Sequence, residues 1–430
     1  MRSTRSALPV ASLLAILSFA CVDAMGPAGP GNQANGRIAI VNDASTLAAQ
    51  VTYFNDSIPI DAAGVGYPAA PLSASSRVLS TSTIGQAGIL GGGSLKLRLK
   101  AEVAPPTVGG QVLQATSVSM VGSQAVVSYN MIGNPYLGAV DVIAVNPGGQ
   151  PTLTSRAVLQ NADINAVYAS GTSVYVAEAT GDTGFQSPAV FEVMQLVGNN
   201  LVLNGNLRRG LTSYAGTGVW ASGTRAYATS GNTGALFVID PVTLVPLDTI
   251  SLHDARWVTV AGGKIVVVQG TPGQISVFDE TTLAPLGTFA FKGADIAESK
   301  STVALAGGKA FIAAGDSGVQ VLSATTGAVV GSVPRPNPDS LGLSPSVVVS
   351  NAAAVDSDLI FISNGEAGVY VAQGSQAFSA TGSETQQTIT MLGKLRFANL
   401  QSVNHVAYSA DNKYLIVAAG LGGLKIVQVN

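Results

Sequence analysis

Ala310-Phe311-Ile312-Ala313-Ala314-Gly315-Asp316-Ser317-Gly318-Val319-Gln320-Val321-Leu322-Ser323 contains an apolar run, a Gly-x-x-Gly tetrapeptide and a second run in which apolar and polar residues alternate. Such runs are strands, and the tetrapeptide between them is a tight turn. The arrangement recurs. Gly181-Asp182-Thr183-Gly184, Gly231-Asn232-Thr233-Gly234, Gly270-Thr271-Pro272-Gly273, Gly365-Glu366-Ala367-Gly368 and Gly420-Leu421-Gly422-Gly423 share the form, and Gly133 to Gly138 is an expanded version. The copies are spaced by roughly 40 to 55 residues, the length of a four-stranded repeat unit.

Each turn sits in similar surroundings. An apolar strand precedes it, as at Ser173 to Ala177, Arg225 to Thr229, Ile265 to Gln269, Leu359 to Ser363 and Tyr414 to Ala418. About seven residues ahead lies a small-residue turn such as Ala169-Ser170-Gly171, Ala221-Ser222-Gly223 or Ala306-Gly307-Gly308, and ahead of that another strand, such as Asn165 to Tyr168 or His405 to Ser409. A last strand follows the alternating one, as at Leu244 to Leu252 or Leu283 to Phe291. Four antiparallel strands per repeat leave no room for crossover helices. The expected fold is therefore all-β, a seven-bladed β-propeller. The final repeat stops at Asn430 after its third strand, which would leave an open sheet edge. The ring is expected to close with an N-terminal strand, either the alternating Ser94-Leu95-Lys96-Leu97-Arg98-Leu99-Lys100 or Gln111 to Gln114.

Composition agrees. The 430 residues are 47% hydrophobic and 10% charged with a formal net charge of -3, and include 50 Gly. A nucleic-acid partner would need a basic face, which this balance denies. A disordered chain would carry more charge and fewer apolar residues. The expected organisation is a signal peptide at 1–20, a flexible Gly/Pro/Asn-rich tether at 21–36, a small β-rich extension at 37–93 and the propeller at 94–430. Within the extension, Arg37 to Val41 and Gln50 to Phe54 read as strands, either of a small sandwich or laid against the propeller.

The single cysteine, Cys21, excludes an internal disulfide. Arg2 and Arg5 precede an apolar run from Ala7 to Ala20, which has the length of a signal-peptide core. The ending Leu17-Ser18-Phe19-Ala20-Cys21 resembles a bacterial lipoprotein signal, with Ser18 and the bulky Phe19 departing from the usual pattern. The resemblance implies acylation of Cys21, export, and a membrane partner through the lipid. A plain secretory signal is the other reading. Asp23 does not directly follow Cys21, so the inner-membrane retention signal of some lipoproteins is missing. The segments Ala310 to Ser323, Leu359 to Ala372 and Tyr414 to Val429 resemble LVIVD-repeat propellers of bacterial surface proteins, while Leu236 to Ile250 and Ile275 to Phe289 are closer to the YVTN type. That resemblance implies a cell-envelope setting and names no activity, since propellers host many.

Two motifs dissolve on inspection. Gly315-Asp316-Ser317-Gly318 spells the surroundings of the nucleophile in trypsin-like proteases, yet it occupies the repeated turn. Gly420-Leu421-Gly422-Gly423 opens a strand rather than a helix, so it offers no helix N-terminus to a phosphate. No Cys pair, His-Glu-x-x-His or Asp-rich calcium loop occurs, so no metal or cofactor is expected. The candidate site is the face carrying the Gly-x-x-Gly turns, where the innermost strands begin around the channel mouth. It would carry Asp163, Asn165, His253, Asp254, Arg256, Asp295, Glu298, Lys300, Asn404 and His405, with Asp182, Asp316 and Glu366 farther out. His253 and His405, the only histidines, lie three blades apart and would face each other across the mouth. The proline-rich loop Pro334 to Pro345 is expected as a fixed rim on the same face. The composition favours a non-enzymatic scaffold binding a protein or glycan; an envelope hydrolase or lyase using His253 and His405 with Asp254 or Glu298 is the alternative.

Overall fold

A computed structural model describes residues 31–58, 95–131, 133–146, 148–293, 299–397 and 401–430, with the side chains of 204 and 205 left aside. The signal segment and Cys21, the greater part of the tether, residues 59–93, and both Asp295 and Glu298 lie outside the described residues.

Seven antiparallel sheets form a ring: the chain is a seven-bladed β-propeller. Blade 1 runs Gln114–Val121, Gln124–Asn130, Gly138–Ala144 and Thr152–Leu159 from the axis outward, and blade 2 runs Ala162–Ser170, Ser173–Thr180, Ala189–Val197 and Asn200–Gly210. The innermost strands of blades 3 to 6 are Gly218–Ser222, Ala255–Ala261, Val303–Ala306 and Ala352–Asp356. Blade 7 begins at His405–Ser409 and continues through Tyr414–Ala418 and Leu424–Val429.

The missing strand of blade 7 is Leu97–Val103, antiparallel to Leu424–Val429, with Leu424 opposite Val103 and Val429 opposite Leu97. Backbone bonds between Lys96 and Asn430 extend the pairing in both directions, each at 2.8 Å. The other candidate donor, Gln111–Val112, instead folds onto Thr107–Val108 as a tiny hairpin. A bidentate pair of Arg156 on Asp141, both bonds 2.7 Å, ties the seam to blade 1, because the same guanidinium donates to the Ala104 carbonyl at 2.8 Å.

Two further strands lengthen the sheets on either side of the seam. Ile38–Val41 pairs with Thr152–Leu159 at the rim of blade 1, and Val51–Ile58 pairs with Leu97–Val103 at the rim of blade 7. Their inward residues, Ile38, Ile40 and Ile58, are buried.

The core lies between blades because both faces of every blade but its outer strand are covered. Central strands are therefore apolar on both sides; Leu359–Ser363 and Tyr414–Ala418 are buried at every residue. The repeated turns stitch neighbouring blades together. The first glycine of four of them bridges the entry of the next innermost strand, as in the reciprocal bonds of Gly315 and Ser350 at 3.1 and 2.9 Å. Gly318 closes its turn at φ +76°, where an added Cβ would lie 2.1 Å from the Val333 carbonyl oxygen. Only glycine fits there without displacing backbone.

Candidate functional site

The expected polar cluster is present, but most of its described members brace the ring. Asp163, which is 8% exposed, accepts from the Met131 and Leu137 amides at 3.3 and 3.0 Å and so pins the expanded turn of blade 1. Its burial raises the carboxyl pKa to about 6 against the two amide bonds, which pull it down. Asn165 accepts from the Asn130 side chain and donates to the Gly216 carbonyl, linking blades 1, 2 and 3. Asn404 donates to the Ala115 carbonyl across the blade 7–blade 1 seam at 2.9 Å.

Asp254 and Arg256 pair with each other, the closest contact being 2.8 Å. Arg256 continues to the Ser299 carbonyl and the Ser301 hydroxyl of the blade 5 entry, both at 3.3 Å. Its guanidinium lies across Gly270, where any Cβ would collide with it. This explains the Gly270 turn more directly than hairpin geometry does.

Lys300 crosses the channel mouth. Its ammonium donates to the Thr116 carbonyl of blade 1 at 2.7 Å and to the Asn165 carbonyl of blade 2 at 3.0 Å, and stands 5.9 Å from the centroid of the Trp257 ring. Burial without an anionic contact among the described residues brings its pKa down to about 7. Below it, the His405 ring lies 5.3 Å from that of Trp257, and its Nδ1 accepts from the Val118 amide at 3.4 Å. Burial and the nearby Lys300 charge drive the imidazole pKa down to about 3, so it is neutral at physiological pH and carries its proton on Nε2.

The two histidines do not meet. His405 lines the channel and is 9% exposed, whereas His253 is an exposed loop residue outside it whose carbonyl accepts from Gln269. Asp182 lies at larger radius, paired with Arg208 at 2.8 Å, and Asp316 and Glu366 occupy their turns. The Pro334–Pro345 loop contains the short helix Pro338–Leu341 and is fastened by Arg335 donating to the Pro345 and Val348 carbonyls.

Two features escaped the sequence reading. One is a buried cluster in blade 2: Glu178 and Glu192, both inaccessible, are held by Arg208 and by Arg37 from the N-terminal extension. Burial and the neighbouring carboxylate raise the pKa of Glu178 to about 8. The signal was a single acidic residue inside each of two apolar strands. The other is the size and lining of the channel's lumen, a cavity of about 390 Å³ walled by the innermost strands of all seven blades. Described residues at its Gly-x-x-Gly end, Thr116, Ser301, Thr302 and His405, are buried. Towards the opposite face Met120, Tyr168, Trp220, Leu305 and Tyr408 are half-buried, so the lumen opens there. Each of these five lies just ahead of a small-residue turn, a position legible in the sequence.

No family model and no curated protein matches the chain. Among solved structures it is similar in fold to the computationally designed Ika8 protein, at 12% identity and a TM-score of 0.45, over 82% of this chain and 96% of that one. It is also similar to BamB from Moraxella catarrhalis, at 14% identity and a TM-score of 0.46, over 88% of this chain and 97% of that one.

Proposed function

We propose that the protein is exported, held at the cell envelope by an acylated Cys21, and acts as a non-enzymatic scaffold whose propeller surface binds a protein or glycan. The observation that carries this reading is the engagement of Asp163, Asn165, Asp254, Arg256, Asn404 and His405 in bonds that join blades to one another or to their turns. General acid–base chemistry needs a titratable pair poised at a common pocket. The pair named by the alternative hydrolase or lyase, His253 and His405, is divided between an exposed loop and the wall of the channel. The surface supplies the complementary sign: large apolar residues are exposed at the outer edges of three consecutive blades, Leu247 and Val245 in blade 3, Leu286 in blade 4 and Val329 in blade 5. These side chains offer a partner apolar contacts along one stretch of the rim. Resemblance to LVIVD-repeat propellers and to lipoprotein signals supports the envelope setting.

The test has two arms. Radiolabelled palmitate is expected in the wild type and not in Cys21→Ala; equal labelling of both refutes the anchor. The propeller is then used as bait on detergent-solubilised envelope, beside a Leu247→Glu/Leu286→Glu variant, which is expected to lose the captured species. Turnover of an ester or glycoside panel that disappears in His405→Phe would overturn the scaffold reading.

A further inference from the structure

We propose that the central channel is a binding site for a planar aromatic carboxylate entering from the face opposite the Gly-x-x-Gly turns. This reading does not depend on any macromolecular partner of the outer surface.

A volume of about 390 Å³ falls within the range of sites for small organic ligands. Its largely aliphatic walls carry four Tyr and Trp rings, Tyr168, Trp220, Trp257 and Tyr408. Tyr168 and Trp220 stack at 4.2 Å between centroids near the open end, Tyr408 lies on the same level in blade 7, and Trp257 stands deeper. Ring surfaces at several angles around a slot suit a flat π-system, which can meet them offset-stacked or edge-on.

The Gly-x-x-Gly end sets polarity. Because the Val118 amide occupies Nδ1 of His405, the neutral ring directs an Nε2–H donor at the lumen, which His405 lines. Directly above is the Lys300 ammonium, whose described contacts are two neutral carbonyls and a ring face. A positive charge balanced by no carboxylate among the described residues favours an anionic oxygen at the His405 level. The aromatic body then fills the lumen behind it.

Both tryptophans of the chain line this channel, so intrinsic tryptophan fluorescence reports on it alone. The probes are 2-naphthoate and its neutral isostere 2-methylnaphthalene, titrated at pH 6 into the mature protein. The expected result is saturable, one-to-one quenching by 2-naphthoate with at least tenfold tighter binding than by 2-methylnaphthalene. His405→Phe keeps the ring and removes the donor; it should weaken 2-naphthoate about tenfold, as loss of a hydrogen bond to a charged group does, and leave 2-methylnaphthalene unchanged. Absence of saturation by 2-naphthoate, equal affinity of the two probes for the wild type, or equal loss of both in His405→Phe overturns the proposal. The wild-type comparison decides it even if the variant fails to fold.

Discussion

Leu99→Ala tests the seam that completes the ring. Leu99 is fully buried on the closing strand, opposite Val427 on one side and Asp56 on the other, in a cluster with Phe361, Val371 and Leu415. The substitution deletes three carbons from that cluster. At about 0.8 kcal/mol per buried methylene the transfer loss is about 2.4 kcal/mol. The cavity left between two sheets that cannot collapse raises the total to about 3–4 kcal/mol, within the range of such core truncations. Unfolding entropy near 60 °C is about 2.1 cal/mol/K per residue, or about 0.7 kcal/mol/K over a ring of ~340 residues. The melting temperature should therefore fall by about 5 °C, read by far-ultraviolet circular dichroism and by calorimetry. Leu421→Ala is the control: this residue is 65% exposed in a turn of the same blade and should shift the midpoint by less than about 1 °C. If Leu99→Ala melts with the wild type, residues 97–103 do not complete a packed seventh blade.

Gly318→Ala should destabilise by several kcal/mol, since its Cβ would press on the Val333 carbonyl at 2.1 Å, while Gly122→Ala, with open space around its Cβ at φ +54°, should cost only about 1 kcal/mol of backbone strain; urea unfolding of both distinguishes crowding from dihedral cost. Asp163 has a folded pKa raised from 3.8 to about 6, so its contribution is fully present below the unfolded value and is lost as pH rises through about 6. Asp163→Asn keeps an oxygen acceptor for the Met131 and Leu137 amides, so the wild type should lose stability relative to the variant between about pH 4 and pH 6, with a constant gap above. Parallel melting curves over that range would remove Asp163 from the account.

The architecture was legible because tight turns and period-two strands are local. The Gly-x-x-Gly copies count the blades, and the run ending at Asn430 without a fourth strand asks for one from upstream, which Leu97–Val103 supplies. The site was legible only as a place. His405, Lys300 and Asp163 do gather at the Gly-x-x-Gly end of the axis, yet their use depends on distances between blades that no local pattern encodes. Asp254-Ala255-Arg256 reads as a polar loop; that its guanidinium lies over Gly270 and reaches Ser301 follows from how far blade 5 stands from blade 4. Glu178 and Glu192 were passed over because strand periodicity weighs apolar residues, and a lone acid within a run looks like an interruption.

Because blade 7 combines Leu97–Val103 with Leu424–Val429, the order of synthesis and the order of assembly run opposite ways. The strand made before any blade finds its partner only when Leu424–Val429 emerges, so at no earlier moment does the ring exist. A nascent chain must carry that strand unmatched through the making of six blades, with its alternating leucines available to any exposed edge. Late closure of this kind makes Leu424–Val429 a checkpoint: a chain cut short before that strand lacks the partner that Leu97–Val103 needs, and carries two sticky edges in place of a seam.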